Sequence, residues 1–318
     1  MGLRTVDIYH INDFHRRLNP CSDGTGGAAR LSTVLRSAKE QNPEAIIANV
    51  GDVAGDNTVP GPHAFDPLAD LFDRMGVDYL GLGNHEFEDP TGGYQSLREG
   101  LIAPFGGKVL CANVTEIGTS KPLPGTDAYA IHRVAGLNIA FIGVVTRSLA
   151  SAMFPAAGAG LAVAPLEDTL RELVPQVRAE GADAVVVLGH DGLRKMKDVA
   201  ASVEGIDVIL AAHDHRTTDQ PEFVEAPDGR LTAVAEAGGY GRSVGHIQLQ
   251  FNADGKLTGV TGEMLPVTPD ITPDQQVMDM LAVYEHPERV TEVPTKQWVT
   301  LEGGFAELAE HFKESQKP

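Results

Sequence analysis

Eight side chains of metal-ligating type stand where apolar runs of the sequence end. Asp13 and His15 follow the run 3–11, Asp52 follows Ala45–Val50, and Asn84 and His85 follow 78–82. His190 closes the stretch that begins at Ala184, and His213 and His215 follow 206–211. In an α/β sheet, ligands gather outside the carboxyl ends of the strands, so residues distant in sequence can converge in one crevice. Carboxylate, carboxamide and imidazole together suit a borderline divalent ion such as Mn2+, Zn2+ or Fe2+. Counting one of the neighbours Asn84 and His85, seven candidate ligands remain, too many for one tetrahedral ion. They suit two ions about 4 Å apart that share a carboxylate, a clamp for in-line displacement at phosphorus. Asp52 is the natural bridge.

No single element of this set is specific. Asp-x-His arises by chance, and Gly-Asp after a strand is commonly a turn. Six further histidines (His10, His63, His132, His246, His286 and His311) end no strand beside another ligand type. They are expected on the surface or in satisfied core hydrogen bonds. Two local patterns point elsewhere and lack their context. Gly241-Arg242-Ser243-Val244-Gly245 fits the nucleophile elbow of a serine esterase with Ser243, but His246–Phe251 alternates as a strand where an elbow needs a helix. Residues 24–29, GTGGAA, approximate a dinucleotide fingerprint without a strand directly before them.

The elements that must position the ligands alternate between strand and helix. A strand at 3–11 leads through a Gly-rich loop to a helix near 28–41. A strand at 45–50, a helix around 66–75 and a strand at 78–82 follow. Residues 127–134 and 138–145 form a hairpin about Ala135-Gly136. Pro165 opens a helix to about 180, with Glu167 and Asp168 in its first turn and a kink expected at Pro175. Strands at 184–188 and 206–211 flank another helix. Residues 221–265 look like antiparallel strands with turns at Asp228-Gly229 and Asp254-Gly255.

Composition narrows the class. The chain has 318 residues, 42% of them hydrophobic, which excludes a disulfide-stapled mini-domain and a disordered polymer. Lys and Arg number 25 against 44 Asp and Glu, a net charge of −19. So acidic a surface is a poor partner for a nucleic-acid polymer or an anionic membrane. Leu149–Pro165, the longest small-and-apolar stretch, is broken by two prolines and two glycines and is no spanning helix. No basic n-region precedes an apolar core, so a cytoplasmic location is expected, or a periplasmic or secreted one if a leader has been removed. Cys21 and Cys111 are distant and are expected as free thiols.

The order D-x-H, G-D, G-N-H-E, G-H and H-x-H resembles the calcineurin-like metallophosphoesterase superfamily, and its context resembles the 5′-nucleotidase branch. IYHINDFHRRL (8–18), GGAARLSTVL (26–35), GNHEFE (83–88), GGYGRSVGHIQLQF (238–251) and GKLTGVTGEMLPV (255–267) carry the resemblance. It implies a four-layer αββα sandwich of two mixed β-sheets flanked by helices. It implies that Asp13, His15 and His215 hold one divalent ion and that Asn84, His190 and His213 hold another, with Asp52 bridging. A hydroxide shared by the two ions would then be the nucleophile on phosphorus. His85 would stay free to steady the phosphoryl oxygens and help the leaving oxygen depart. Glu88 would hold its other ring nitrogen. Family members mostly have Asp at that position and Gly at Ala212, and some carry Gln at His215.

The expected activity is hydrolysis of a small anionic phosphoester, of the 5′-nucleotidase kind. Alternatives on the same site are a cyclic or nucleotide-sugar phosphodiesterase and a sulfur-ester hydrolase, and a non-catalytic binding module is a more distant one. Residues 1–267 are expected to form the catalytic domain and 268–318 a short extension. Two-domain relatives continue much further, into a domain that stacks the base. Leaving-group contacts are therefore expected from loops such as 53–66 and 147–163, with modest selectivity among phosphoesters.

Overall fold

Alternation in β1 (Arg4–Ile11) buries Val6, Ile8 and His10 on one face and leaves Thr5, Asp7 and Tyr9 on the other. The computed structural model describes residues 3–55, 65–88, 93–119, 121–149 and 160–285. After β1 come α1 (Ala28–Gln41), β2 (Ile46–Asn49), α2 (Leu68–Met75), β3 (Tyr79–Gly81), α3 (Gly93–Leu97) and β4 (Lys108–Leu110). The middle of the chain supplies β5 (Val114–Glu116), β6 (Tyr129–Val134), β7 (Leu137–Val145), β8 (Leu161–Val163), α4 (Leu166–Ala179), β9 (Ala184–His190), α5 (Leu193–Ala200) and β10 (Val208–Ala211). Last are β11 (Glu222–Glu225), β12 (Leu231–Glu236), β13 (Ser243–Phe251), β14 (Leu257–Pro266) and α6 (Gln275–Glu285).

Two six-stranded sheets result, ordered β14-β13-β1-β2-β3-β4 and β11-β12-β10-β9-β7-β6, with β5 and β8 as a small separate pair. Both are mixed. β1 to β4 run parallel while β13 and β14 join antiparallel; β7, β9, β10 and β12 run parallel between antiparallel β6 and β11. Three apolar layers separate four structural ones. Ile8, Ile46 and Ala48 of one sheet meet Phe141, Val186 and Leu210 of the other. Leu31, Leu35, Leu71 and Phe72 cover the first sheet from outside, and Leu170, Val174, Met196 and Val199 cover the second. This is the expected αββα sandwich. All seven residues of β9 are buried because both its faces are covered, which is why its sequence runs apolar without alternation.

Local chemistry explains the joints. Ala135 (φ 49°) and Gly136 (φ 71°) both take the left-handed region that a two-residue hairpin with the strands' own twist requires. Pro165 caps α4 with Glu167 and Asp168 in the first turn, and the helix runs through Pro175 to Ala179. The antiparallel strands expected between 221 and 265 are present as two hairpins, at Asp228-Gly229 and Asp254-Gly255, which belong to different sheets. β11 and β12 belong to the second sheet, where β12 lies parallel to β10, and β13 and β14 belong to the first. Turn residues dictate only the local pairs, and the segment 237–242 carries the chain across between sheets.

The packed body continues past Val267. Val277, Met280, Leu281 and Tyr284 of α6 are buried in the layer that also holds Leu31 and Leu35 of α1. Asp274 accepts hydrogen bonds from Ser32 Oγ at 2.8 Å and Arg36 Nη1 at 2.9 Å. Residues 286–318, most of loop 53–66 and much of 147–163 lie outside the described residues, as do His63, His286 and His311. Among the described residues no helix is long and apolar enough to cross a membrane, and both cysteines are free thiols.

Candidate metal centre

The parallel strands β1, β2 and β3 of one sheet and β9 and β10 of the other end on the same edge of the sandwich. Their following residues are held in unusual backbone. Asp13 (φ 50°), His15 (48°), Arg16 (52°), Asp52 (51°), His213 (95°), His215 (57°) and Tyr240 (63°) all have positive φ, and the one other described non-glycine with it is Ala135 of the hairpin. Each costs on the order of 1–3 kcal/mol and persists only where its surroundings impose it. The inter-sheet layer can supply that, since each large apolar side chain fully buried there contributes roughly 1.5–3 kcal/mol.

Hydrogen bonds impose the conformation locally. The N–H groups of Asp13, His15 and Arg16 donate to the carbonyls of Gly51, Asp52 and Val53 at 3.0, 2.9 and 2.9 Å, so the first two loops extend the β1–β2 pairing. Asn12 Nδ2 donates to Asp13 Oδ2 at 2.6 Å, and Asn12 Oδ1 accepts from Ala237 N at 3.0 Å. Tyr240 N donates to Asp13 O at 2.7 Å. The wholly buried Glu86 accepts from the N–H groups of Gly83 (2.7 Å), Asp52 (2.9 Å) and Ala54 (3.0 Å), clamping the second loop to the third. Gly83 must be glycine there, because a Cβ would lie 2.2 Å from Asp52 Oδ1 and 2.7 Å from His190 Cε1.

Within this frame the sequence-expected ligands converge. Three groups each bring their ligand atoms within 4.8 Å of one another: Asp13, His15 and His215; His15, Asp52 and His85; and Asp52, His190 and His213. His15 Nε2 lies 2.9 Å from His215 Nε2, 3.8 Å from Asp13 Oδ1 and 3.9 Å from Asp52 Oδ2. His190 Nε2 lies 3.0 Å from Asp52 Oδ2 without the alignment of a hydrogen bond, while its Nδ1 meets Val50 O at 2.8 Å. That second contact holds one ring proton on Nδ1. Against burial, Asp52 and Asp13 push His190 up to about 10, so without an ion Nε2 is protonated too, and an ion would displace that proton and take the lone pair. Asn84 Nδ2 donates to Glu88 Oε1 at 2.8 Å, so the amide turns its oxygen inward, where Oδ1 is buried with no hydrogen-bond partner among the described residues. Packed nitrogens and carboxylates with buried lone pairs unused are the donor set of a divalent cation site.

Charge is balanced within the cluster. Burial opposes the charge of Asp52, but His190 and His85 hold its carboxyl well below the usual range. The Glu88 hydrogen bond at 2.8 Å pushes His85 up to about 9, against burial and with help from Asp52. Burial and the neighbouring Asp52 charge push Glu86 up to about 7. Burial and Asp214 push Glu236 up to about 9, and Glu236 Oε1 accepts from Arg216 N at 2.9 Å, steadying the loop that carries His213 and His215.

All nine residues expected at the site stand at this edge; Glu88 contacts Asn84 and His85 rather than the core of the cluster. Sequence reasoning missed Asn12, Glu86 and Glu236, which hold the backbone of these loops, Asn12 binding the Asp13 carboxylate as well. The signal for Glu86 is its place inside GNHEFE. Ser243 is no elbow nucleophile: it opens the nine-residue β13, and its hydroxyl donates to Ala237 O at 2.5 Å. His132 pairs with Tyr79 and His246 with Asp7, as expected of non-ligands. His10 departs from expectation, since among the described residues neither of its buried ring nitrogens has a hydrogen-bond partner.

A family model described as calcineurin-like phosphoesterase matches residues 6–217. The chain is 25% identical over 300 residues to a 5′-nucleotidase of Bos taurus, covering 86% of this chain and 51% of that protein. It is 26% identical to the endonuclease YhcR of Bacillus subtilis, covering 94% of this chain and 26% of the other. A 5′-nucleotidase precursor from Thermus thermophilus superposes with a TM-score of 0.78 at 25% identity, over 90% of this chain and 59% of that one. The chain thus spans about half the length of the bovine relative.

Proposed function

The chain belongs to the calcineurin-like phosphoesterase family, and we propose that it is a two-metal hydrolase of small anionic phosphoesters, of the 5′-nucleotidase kind. The observation that carries this is the convergence, at one edge of the sandwich, of three ligand groups linked in turn through His15 and Asp52. In this proposal Asp13, His15 and His215 hold one divalent ion, Asn84, His190 and His213 hold the other, and Asp52 serves both. Mn2+, Zn2+ and Fe2+ all suit such donors. When bound, the ions neutralise phosphoryl oxygens and lower the pKa of water toward 7.

The protein's own groups divide the remaining work. Asp52 keeps its charge despite burial and is presented in one orientation, because His85 N donates to its Oδ1 at 3.0 Å and Glu86 holds its backbone N–H. His190 offers Nε2 because Val50 O takes its other proton. His85 is held at Nδ1 by Glu88 and so presents Nε2, where a proton steadies the phosphoryl group and passes to the leaving oxygen.

The test is metal content together with hydrolysis of p-nitrophenyl phosphate, with and without chelator, and re-addition of Mn2+, Zn2+ or Co2+. Turnover that disappears with chelator and returns with metal supports the proposal; turnover indifferent to chelator, or none under any metal, defeats it. The YhcR likeness favours a second reading, phosphodiester cleavage by the same site. Comparison of AMP with bis-p-nitrophenyl phosphate separates the two.

A further inference from the structure

Tyr240 sits in the sequence Gly238-Gly239-Tyr240-Gly241, the one residue of the four with a side chain, and it has φ 63°. Glycine would take that backbone without strain. An aromatic ring at such a place persists only where its surroundings offset the strain. Its surroundings show where the ring is used. The ring centroid is 5.0 Å from that of His215, nearly perpendicular, and 5.4 Å from that of His15. The guanidinium carbon of Arg17 lies over the same ring, 5.0 Å from its centroid, stacked as a cation on the π face.

Arg17 is exposed, and among the described residues its guanidinium has no carboxylate partner. Other cations around the cleft are engaged: Arg216 contacts Asp214 at 3.2 Å, and Lys195 pairs with Glu167. In a chain of net charge −19, a cation left without a carboxylate among the described residues, on a ring that neighbours two candidate metal ligands, is available to an incoming anion. The stack is weak and exposed, so it holds the side chain in place without consuming its five N–H donors. A guanidinium fork matches two oxygens of one phosphoryl group, whereas a lysine would offer a point charge.

We infer that Arg17, seated on the ring of Tyr240, is a substrate-binding residue that grips the outer oxygens of a dianionic phosphomonoester at the His15–His215 side of the centre. This rests on the phosphoester-hydrolase proposal and adds the substrate class. A dianionic monoester presents more charged oxygen to a bidentate guanidinium than a monoanionic diester does. Arg17 therefore favours monoesters over diesters at the level of binding.

The experiment compares metal-loaded wild type, Arg17→Ala, Arg17→Lys and Tyr240→Gly with p-nitrophenyl phosphate and bis-p-nitrophenyl phosphate. It adds calorimetric titration of the same proteins with inorganic phosphate. Arg17→Ala should keep its metal and raise the monoester KM roughly 10- to 100-fold, the scale of lost charge-assisted hydrogen bonds. Its kcat should stay within about threefold and its diester KM should move by less than about threefold. Phosphate affinity should fall with the monoester KM, Arg17→Lys should recover only part of it, and Tyr240→Gly should shift the same constants in the same direction. An unchanged monoester KM and phosphate affinity, an equal rise for both esters, or loss of metal from Arg17→Ala overturns the inference. A wild type that binds phosphate through Arg17 yet hydrolyses neither ester would defeat the hydrolase proposal instead.

Discussion

Asp52 and His85 end neighbouring parallel strands, and the backbone N–H of His85 donates to Oδ1 of Asp52 at 3.0 Å. The carboxylate expected to serve two ions is therefore held by the residue expected to act on the substrate. Its other oxygen, Oδ2, faces His190 Nε2 at 3.0 Å and His15 Nε2 at 3.9 Å. One side chain thus touches the histidines of both proposed metal sites and the acid–base group.

Removing that side chain should cost metal before anything else. Asp52→Ala is expected to drop the stoichiometry after dialysis from two ions per chain to one or none, with activity lost alongside. Elemental analysis of the dialysed protein measures it. Two ions retained by the variant would mean that Asp52 is no bridge.

His85→Ala should behave differently, because Glu88 already occupies Nδ1 and the ring lies beside a ligand rather than between two. Metal content is expected to remain at the wild-type level while kcat falls roughly 10²–10⁴-fold, the usual scale for a positioned acid–base group. His15, Asp52 and His85 also bring their ligand atoms together, so an emptied site in this variant would reassign His85 as a ligand.

The ligands were readable because a strand end is marked twice, by the close of an apolar run and by a residue type that belongs nowhere in a core. The clamp residues carry only half of that mark. Glu86 and Asn12 look like ordinary polar loop residues, and only the fold reveals that their acceptors and donors close three loops onto one another. The three-residue strands β4, β5 and β8 are too short to show alternation. The crossing from β12 to β13 escaped because turn chemistry at Asp228-Gly229 and Asp254-Gly255 dictates hairpins and says nothing about which sheet a hairpin joins. For His10 the sequence predicts the surface or a satisfied core hydrogen bond; its place in the buried phase of Val6 and Ile8 marks the burial but not the lack of partners among the described residues.

Glu86→Gln tests whether the clamp matters to the metals. Three backbone N–H groups share the Glu86 carboxylate. A carboxamide has one acceptor oxygen, and its NH2 must face at least one of those donors. An orphaned buried N–H costs about 1–3 kcal/mol, so the urea midpoint should fall. Because Asp52 is positioned through this contact, affinity for the metal should also fall, by roughly the 10–100-fold typical of groups that orient ligands. Unfolding curves and a competitive metal titration give the two numbers. A variant with reduced stability but unaltered metal affinity would confine Glu86 to a structural role.

His10 provides a prediction independent of the metals. Its ring is wholly buried on the inner face of β1, opposite Gly245, where an added Cβ would come within 2.0 Å of Nε2. Among the described residues neither nitrogen has a partner, and burial pushes the group down from 6.5 to about 3, with His246 adding to the effect. The folded protein therefore keeps this histidine neutral at pH values where the unfolded chain would protonate it. Stability tied to the group is intact above the unfolded value near 6.5 and is lost as the pH falls toward 3, at up to about 1.4 kcal/mol per pH unit. Between pH 7 and pH 5 the loss amounts to roughly 2 kcal/mol. His10→Leu removes both the titration and the two orphaned nitrogens, and its side chain ends at Cδ, short of the Nε2 and Cε1 atoms that approach Gly245. It should match or exceed wild-type stability at pH 7 and gain about 2 kcal/mol on it at pH 5. Urea unfolding of the two proteins at both pH values decides the matter. A difference between them that does not change with pH would show that His10 finds a proton partner in the folded state.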